Sequence, residues 1–125
     1  MREIREVIFR GKRTDNGEWI TDSETYIRDG DGIWLSDENL NVVTVLPETV
    51  GQFTGLTDKN GVKIFEGDIL TIENEGVYAA IKYNESNAAF YVEDEDHEDY
   101  LGEAWETDVV IIGNIHDNPE LLQKF

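Results

Sequence analysis

Turn chemistry punctuates this chain at short, regular intervals. Asp, Asn and Gly cluster at Thr14-Asp15-Asn16-Gly17, Asp29-Gly30-Asp31-Gly32, Asp58-Lys59-Asn60-Gly61, Glu66-Gly67-Asp68, Asn74-Glu75-Gly76 and from Asn84 to Asn87. Gly and Asn tolerate the positive φ that tight turns demand. The runs between these clusters are rich in Val, Ile, Tyr, Phe and Thr, residues that suit a pleated surface. Strands are therefore predicted at Val7–Arg10, over about residues 18–28, at Ile33-Trp34-Leu35, and from Leu40 to Leu46, where Pro47 stops the run. Gln52-Phe53-Thr54 and Val62 to Phe65 flank the third turn as a hairpin.

Further strands are expected at Ile69–Glu73, Val77–Tyr83 and Ala88–Val92. Val109 to Ile115 is almost continuously apolar, the pattern of a strand covered on both faces. Four short strands in succession suggest an antiparallel meander curling into a small SH3-like barrel in the C-terminal half. An N-terminal β layer precedes it. The expectation is mainly β and a single domain over residues 1–125, with possible sub-layers 1–50 and 51–125 meeting near residues 47–51. One short C-terminal helix is predicted, with Asn118 as cap, Pro119 at its first position and Glu120 in its first turn. Leu121, Leu122 and Phe125 would form its docking face.

Composition narrows the chemistry. The 125 residues contain no cysteine, which removes thiol nucleophiles, redox pairs and cysteine-based zinc sites. No run approaches the ~18 apolar residues of a membrane span, and the charged start Met1-Arg2-Glu3-Ile4-Arg5-Glu6 lacks the apolar stretch of a signal peptide. A reducing cytoplasm is the expected location. The net charge is -18, yet residues 1–13 sum to +3. Residues 66–108 carry one lysine, Lys82, against 14 acidic residues. Such a field repels phosphates, so direct nucleic-acid binding is not expected.

Candidate sites fare poorly against their motifs. Asp94, Asp96 and Glu98 have the alternate spacing of a calcium loop. Its sixth and twelfth positions then fall on Asp99 and Trp105 rather than Gly and Glu. His97 and His116 are 19 residues apart and form no metal-binding pair. Ser23, Ser36 and Ser86 lack a nucleophile elbow, and no phosphate-cradling glycine loop exists. Trp19, Trp34, Trp105 and the tyrosines lack the basic groove of a stacking platform, so they read as core. No catalytic residue, metal site or cofactor is expected.

One long stretch has a specific likeness. Gln52-Phe53-Thr54-Gly55-Leu56-Thr57-Asp58-Lys59-Asn60-Gly61-Val62-Lys63-Ile64-Phe65-Glu66-Gly67-Asp68-Ile69 resembles the signature of the YopX family. The start (Phe9-Arg10-Gly11-Lys12-Arg13, then Asp15-Asn16-Gly17-Glu18-Trp19) and the end (Ile112-Gly113-Asn114-Ile115-His116-Asp117-Asn118-Pro119) are similar too. Phe53 and Phe65 stand where tyrosine is common. The resemblance implies a β-rich protein of temperate phages and prophages, in the bacterial cytoplasm, with no catalytic residue to transfer.

The functional expectation is a non-catalytic module that binds an unknown protein partner or self-associates through exposed strand edges. One alternative is an acidic DNA mimic acting on a host DNA-binding protein. Another is a small carboxylate-based hydrolase or nucleotide-processing enzyme. Within the signature, Gln52, Lys59 and Glu66 have no evident packing task and are candidates for an interaction surface. The acidic run supplies the others: Glu93, Asp94, Glu95, Asp96, Glu98 and Asp99.

Overall fold

The computed structural model describes residues 6–72, 78–84, 89–93, 98–100 and 109–123. The protein is mainly β, and every assigned strand pairing is antiparallel. The chain divides into two compact units, Met1–Phe53 and Thr54–Phe125.

In the first unit, β1 (Phe9–Lys12) pairs with β2 (Trp19–Ser23) on one side. On the other it pairs with the start of β6 (Gly51–Thr57), through Phe9 opposite Gln52 and Arg10 opposite Gly51. A three-stranded sheet of β3 (Tyr26–Asp29), β4 (Gly32–Ser36) and β5 (Val42–Val45) has β4 at its centre. The core joins Ile20 to Ile33, Leu35 and Val45, with Phe9, Val43 and Val50 packed around them. The β1–β2 turn is closed by Gly17, at φ 73°, whose N–H donates to Arg13 O at 3.1 Å.

The single strand predicted over residues 18–28 is two strands in two sheets. Asp22 takes φ 57° where the β1–β2 register shifts in a bulge, one residue before β2 ends at Ser23. Ser23, 2% exposed, then fixes the corner. Its Oγ accepts from Ser36 N–H at 3.0 Å and Thr25 N–H at 3.2 Å, and donates to Thr25 O at 2.7 Å. Leu40 is likewise outside its predicted strand, at φ 65° in the loop before β5. Pro47 ends that strand as expected and opens a single 3₁₀ turn, Pro47–Thr49.

In the second unit, the later residues of β6 lie beside β7 (Lys63–Phe65). Thr54 Oγ1 donates to Ile64 O at 2.8 Å. Then β8 (Asp68–Ile72), β9 (Tyr78–Asn84) and β10 (Ala89–Glu93) pair in succession as expected. A strand the sequence reading did not predict, β11 (Glu98–Tyr100), pairs with β10, and β12 (Val109–Asn114) returns to pair with β8. Ile64, Leu70, Ala79, Ile81 and Val109 make the core.

Three expectations are corrected here. The sheet order runs β11-β10-β9-β8-β12, and among the described residues no ladder joins its two edges. An antiparallel sheet stands where an SH3-like barrel was predicted, and barrel closure is not observed among the described residues. Secondly, among the described residues β12 is an edge strand, buried at Val109 and half-buried from Val110 to Asn114, where full cover was predicted. A continuous apolar run cannot distinguish a central strand from an edge strand with partial cover.

The third correction concerns the C-terminal helix, which is only a 3₁₀ turn, Pro119–Gln123. Five residues form too few i→i−4 bonds to offset nucleation. The bond that opens the turn runs from Leu121 N–H to Asn118 O, at 3.1 Å. Asn118 is no side-chain cap: its Oδ1 accepts from Asn114 N–H at 3.2 Å and ties the turn back to β12. Leu121 and Leu122 are half-buried as the turn packs beside β9, and Phe125 lies outside the described residues.

Candidate functional site

The carboxylates of the signature are occupied with their own backbone. Asp58, 5% exposed, closes the β6–β7 turn. Its Oδ1 accepts from Asn60 N–H at 2.8 Å and Val62 N–H at 2.9 Å. Its Oδ2 accepts from Ile111 N–H of β12 at 3.1 Å. Asp68, 2% exposed, accepts from Phe65 N–H at 2.7 Å across the Glu66-Gly67 corner. Buried carboxylates that receive backbone N–H groups are satisfied acceptors, and they leave little for catalysis.

The predicted interaction residues fall in different places. Gln52 is half-buried on β6 in the first unit, opposite Phe9. Lys59 and Glu66 belong to the second unit. Lys59 is exposed in the turn, where its backbone N–H donates to Val109 O at 2.8 Å. Glu66 is half-buried at the corner. Asp94, Glu95 and Asp96 lie outside the described residues, as do His97 and Trp105. Glu93 ends β10 and pairs in register with Glu98 of β11, while Asp99 pairs with Val92. Among the described residues no group of three or more His, Asp or Glu side chains could hold a metal ion. No helix among them is long and apolar enough to cross a membrane.

The first unit displays two surface features built on aromatics that the sequence reading assigned to the core, Trp19, which is half-buried, and Tyr26, which is exposed. One is an open cleft of about 260 Å³, lined by Arg13, Glu18 and Trp19 on one side and by Asp37, Glu38 and Asn39 on the other. The indole of Trp19 lies 5.0 Å from the Arg10 guanidinium and 5.5 Å from Lys12 Nζ, so the ring is a platform for β1 cations. Arg13 clamps Asp15 with bonds of 3.0 and 2.9 Å and reaches Asp37 at 3.7 Å. The Asp15 bond raises the Arg13 pKa, and the Arg13 bond lowers that of Asp15. Asp37 is held below the usual carboxylate range chiefly by Asn41 N–H, with help from Asn39 N–H. The Asp37 pKa is depressed on folding, so its stabilisation is present above the unfolded value near 4 and is lost as pH falls through the lower folded value. We expect Asp37→Asn to be less stable than wild type at pH 7. The gap should close on acidification, as read from urea midpoints across pH.

The other feature is β3. All four of its residues are exposed, Tyr26 by 40% and Ile27 by 46%. Among the described residues it pairs only with β4, so its outer edge is open. Only Gly30 and Asp31 separate the two strands, which makes Asp29 and Gly32 a hydrogen-bonded pair. Alternation from there turns the backbone groups of Ile27 toward β4 and those of Tyr26 and Arg28 outward. The register also aligns Ile27, half-buried Trp34 and exposed Thr44 on one sheet face. On the opposite face the Tyr26 ring lies 4.9 Å from that of Phe9. The sequence signal for this edge was present, in a strand too short and polar to occupy a sheet centre. It was hidden by merging β2 with β3.

A family model described as YopX protein matches residues 8–123, nearly the whole chain. No curated protein matches the chain. Among solved structures, the fold is similar to the crystal structure of protein EF1440 from Enterococcus faecalis. The TM-score is 0.60 at 27% identity, over 93% of this chain and 97% of that one.

Proposed function

The chain belongs to the YopX family, and on that footing we propose that it is a non-catalytic protein-interaction module, phage- or prophage-encoded and acting in the bacterial cytoplasm. The observation that carries this reading is β3: an open edge strand with every residue exposed, including Tyr26 and Ile27. Proteins usually cover or blunt such an edge, because unpaired N–H and C=O groups recruit another strand. The alternative use of the fold, chemistry at the signature, loses support because Asp58 and Asp68 accept bonds from backbone N–H groups. The test is affinity capture from bacterial lysate with wild type and Ile27→Asp side by side. The reading expects a captured protein, or a second copy, that the substitution releases. Capture of neither, or capture indifferent to the edge, counts against it.

A second reading is an acidic mimic of DNA. The excess of 14 acidic residues over one lysine across residues 66–108 favours it. The net charge of -18 supplies the field. In the same capture experiment this reading expects basic, DNA-binding proteins that are released steeply by salt.

A further inference from the structure

We propose that the partner strand at the β3 edge is β3 of a second copy, paired antiparallel about a two-fold axis at Ile27. The proposal rests on the interaction-module reading and names its occupant. The geometry of the edge supplies the reasons. A two-fold axis perpendicular to the sheet keeps the faces of both copies aligned, so it pairs residues of equal parity along the strand. With Ile27 opposite Ile27 of the copy, Tyr26 falls opposite Arg28 of the copy on both sides of the axis. Tyr26 and Arg28 are the residues whose backbone groups turn outward, so each of the two pairs exchanges two N–H···O bonds. The same register sets an aromatic ring against a guanidinium twice. It also brings the half-exposed Ile27 side chains together beside Trp34.

The charge distribution limits where on the chain such a contact can lie. Whole chains of -18 repel one another, so the contact belongs where the repulsion is least. The first unit holds six basic and eleven acidic residues, a net of -5, and the second unit carries the remaining -13. Within β3 this register makes Arg28 diagonal to Arg28 of the copy, a like-charge pair that adds to the repulsion. Association is accordingly expected to strengthen as salt screens the long-range repulsion, with a Debye length shrinking to about 10 Å at 0.1 M.

Sedimentation equilibrium and a cysteine scan test the proposal, using the full chain. Wild type should approach twice the 14.3 kDa protomer mass at high protein concentration, and more completely at 0.3 M than at 0.02 M salt. Ile27→Asp places two carboxylates at the axis and should be monomeric with an unchanged unfolding midpoint, because Ile27 is 46% exposed in the protomer. The chain has no cysteine, so Ile27→Cys introduces a single thiol. Facing Cα atoms of a non-hydrogen-bonded pair are about 4.5 Å apart, within disulfide range, so mild oxidation should cross-link it. Asp29→Cys should not cross-link, since the two sulfurs would start from Cα atoms roughly 13 Å apart along the strands. A monomeric wild type overturns the proposal, as does a dimer that survives Ile27→Asp or cross-links equally through Asp29→Cys. If the chain stays monomeric yet captures another protein in an edge-dependent way, the self-pairing is overturned and the interaction-module reading stands. If neither association is seen, both are overturned.

Discussion

Replacing Asp58 with alanine should destabilise the protein by about 2–4 kcal/mol, as judged by urea unfolding with an unchanged m-value. The carboxylate accepts three backbone N–H bonds, from Asn60, Val62 and Ile111. Their costs of loss differ. Asn60 and Val62 are exposed, so water can reach their N–H groups once the side chain is gone. Ile111 is half-buried in β12, 53 residues away in sequence, and its N–H has a poorer substitute. Most of the loss should therefore come from the tie between the turn and β12. Hydrogen exchange gives the sharper readout: the Ile111 amide should exchange faster in Asp58→Ala, beyond the change at Leu70 in the neighbouring strand. Asp58→Asn should recover part of the loss, since one oxygen remains while the new NH₂ can confront a donor. A shift below about 1 kcal/mol for the alanine variant would mean that Asp58 only shapes its own turn.

Leu35→Ala should cost about 3 kcal/mol, within the usual range for a buried leucine. Leu35 is 0% exposed and sits in the cluster of Ile20, Ile33 and Val45. The site has little freedom to collapse, because β4 is held between β3 and β5 on both edges. A partner substitution makes the prediction specific. A Cβ added to Gly11 would meet Leu35 Cδ1 at 3.3 Å and Val50 Cγ2 at 3.3 Å, tighter than ordinary packing. Gly11→Ala should therefore destabilise wild type by overpacking. It should cost less once Leu35 is shortened, giving a favourable coupling in the double-mutant cycle. Additive effects would show that Gly11 does not feel the Leu35 side chain.

The comparison between sequence and structure is clearest at particular elements. The turns were legible because their requirement is local. Gly17, Gly30 and Gly61 have φ of 73°, 62° and 82°, and the Asn-Gly and Asp-Gly pairs announced that in one dimension. The succession of β8, β9 and β10 was legible for the same reason, since Asn and Gly cluster between their apolar runs, whereas β11 lies in an acidic run that gave no strand signal. The break between β2 and β3 was not. Glu24 and Thr25 carry no turn signal, and the corner depends on the bulge at Asp22 against β1 and on Ser23 meeting Ser36 of β4. Merging two strands concealed the open edge on which the functional reading now rests. The carboxylates that looked available for chemistry at Asp58 and Asp68 were equally ambiguous. An aspartate in a turn reads as polar surface until the strand that donates to it is in place.

Family membership, a mainly β chain, the sites of its hairpins and the absence of any cysteine chemistry were decided by the sequence alone, because each depends on residue identity or on neighbours within a few positions. Tertiary structure decided which strands became edges and how fully β12 was covered. It also decided that five residues after Asn118 would form a 3₁₀ turn, and where Asp58 would send its second oxygen. Those outcomes depend on contacts between residues far apart in the chain, such as Asp58 with Ile111 and Ser23 with Ser36. No local propensity encodes the partner of such a contact, because the hydrogen bond exists only after the intervening strands have found their register.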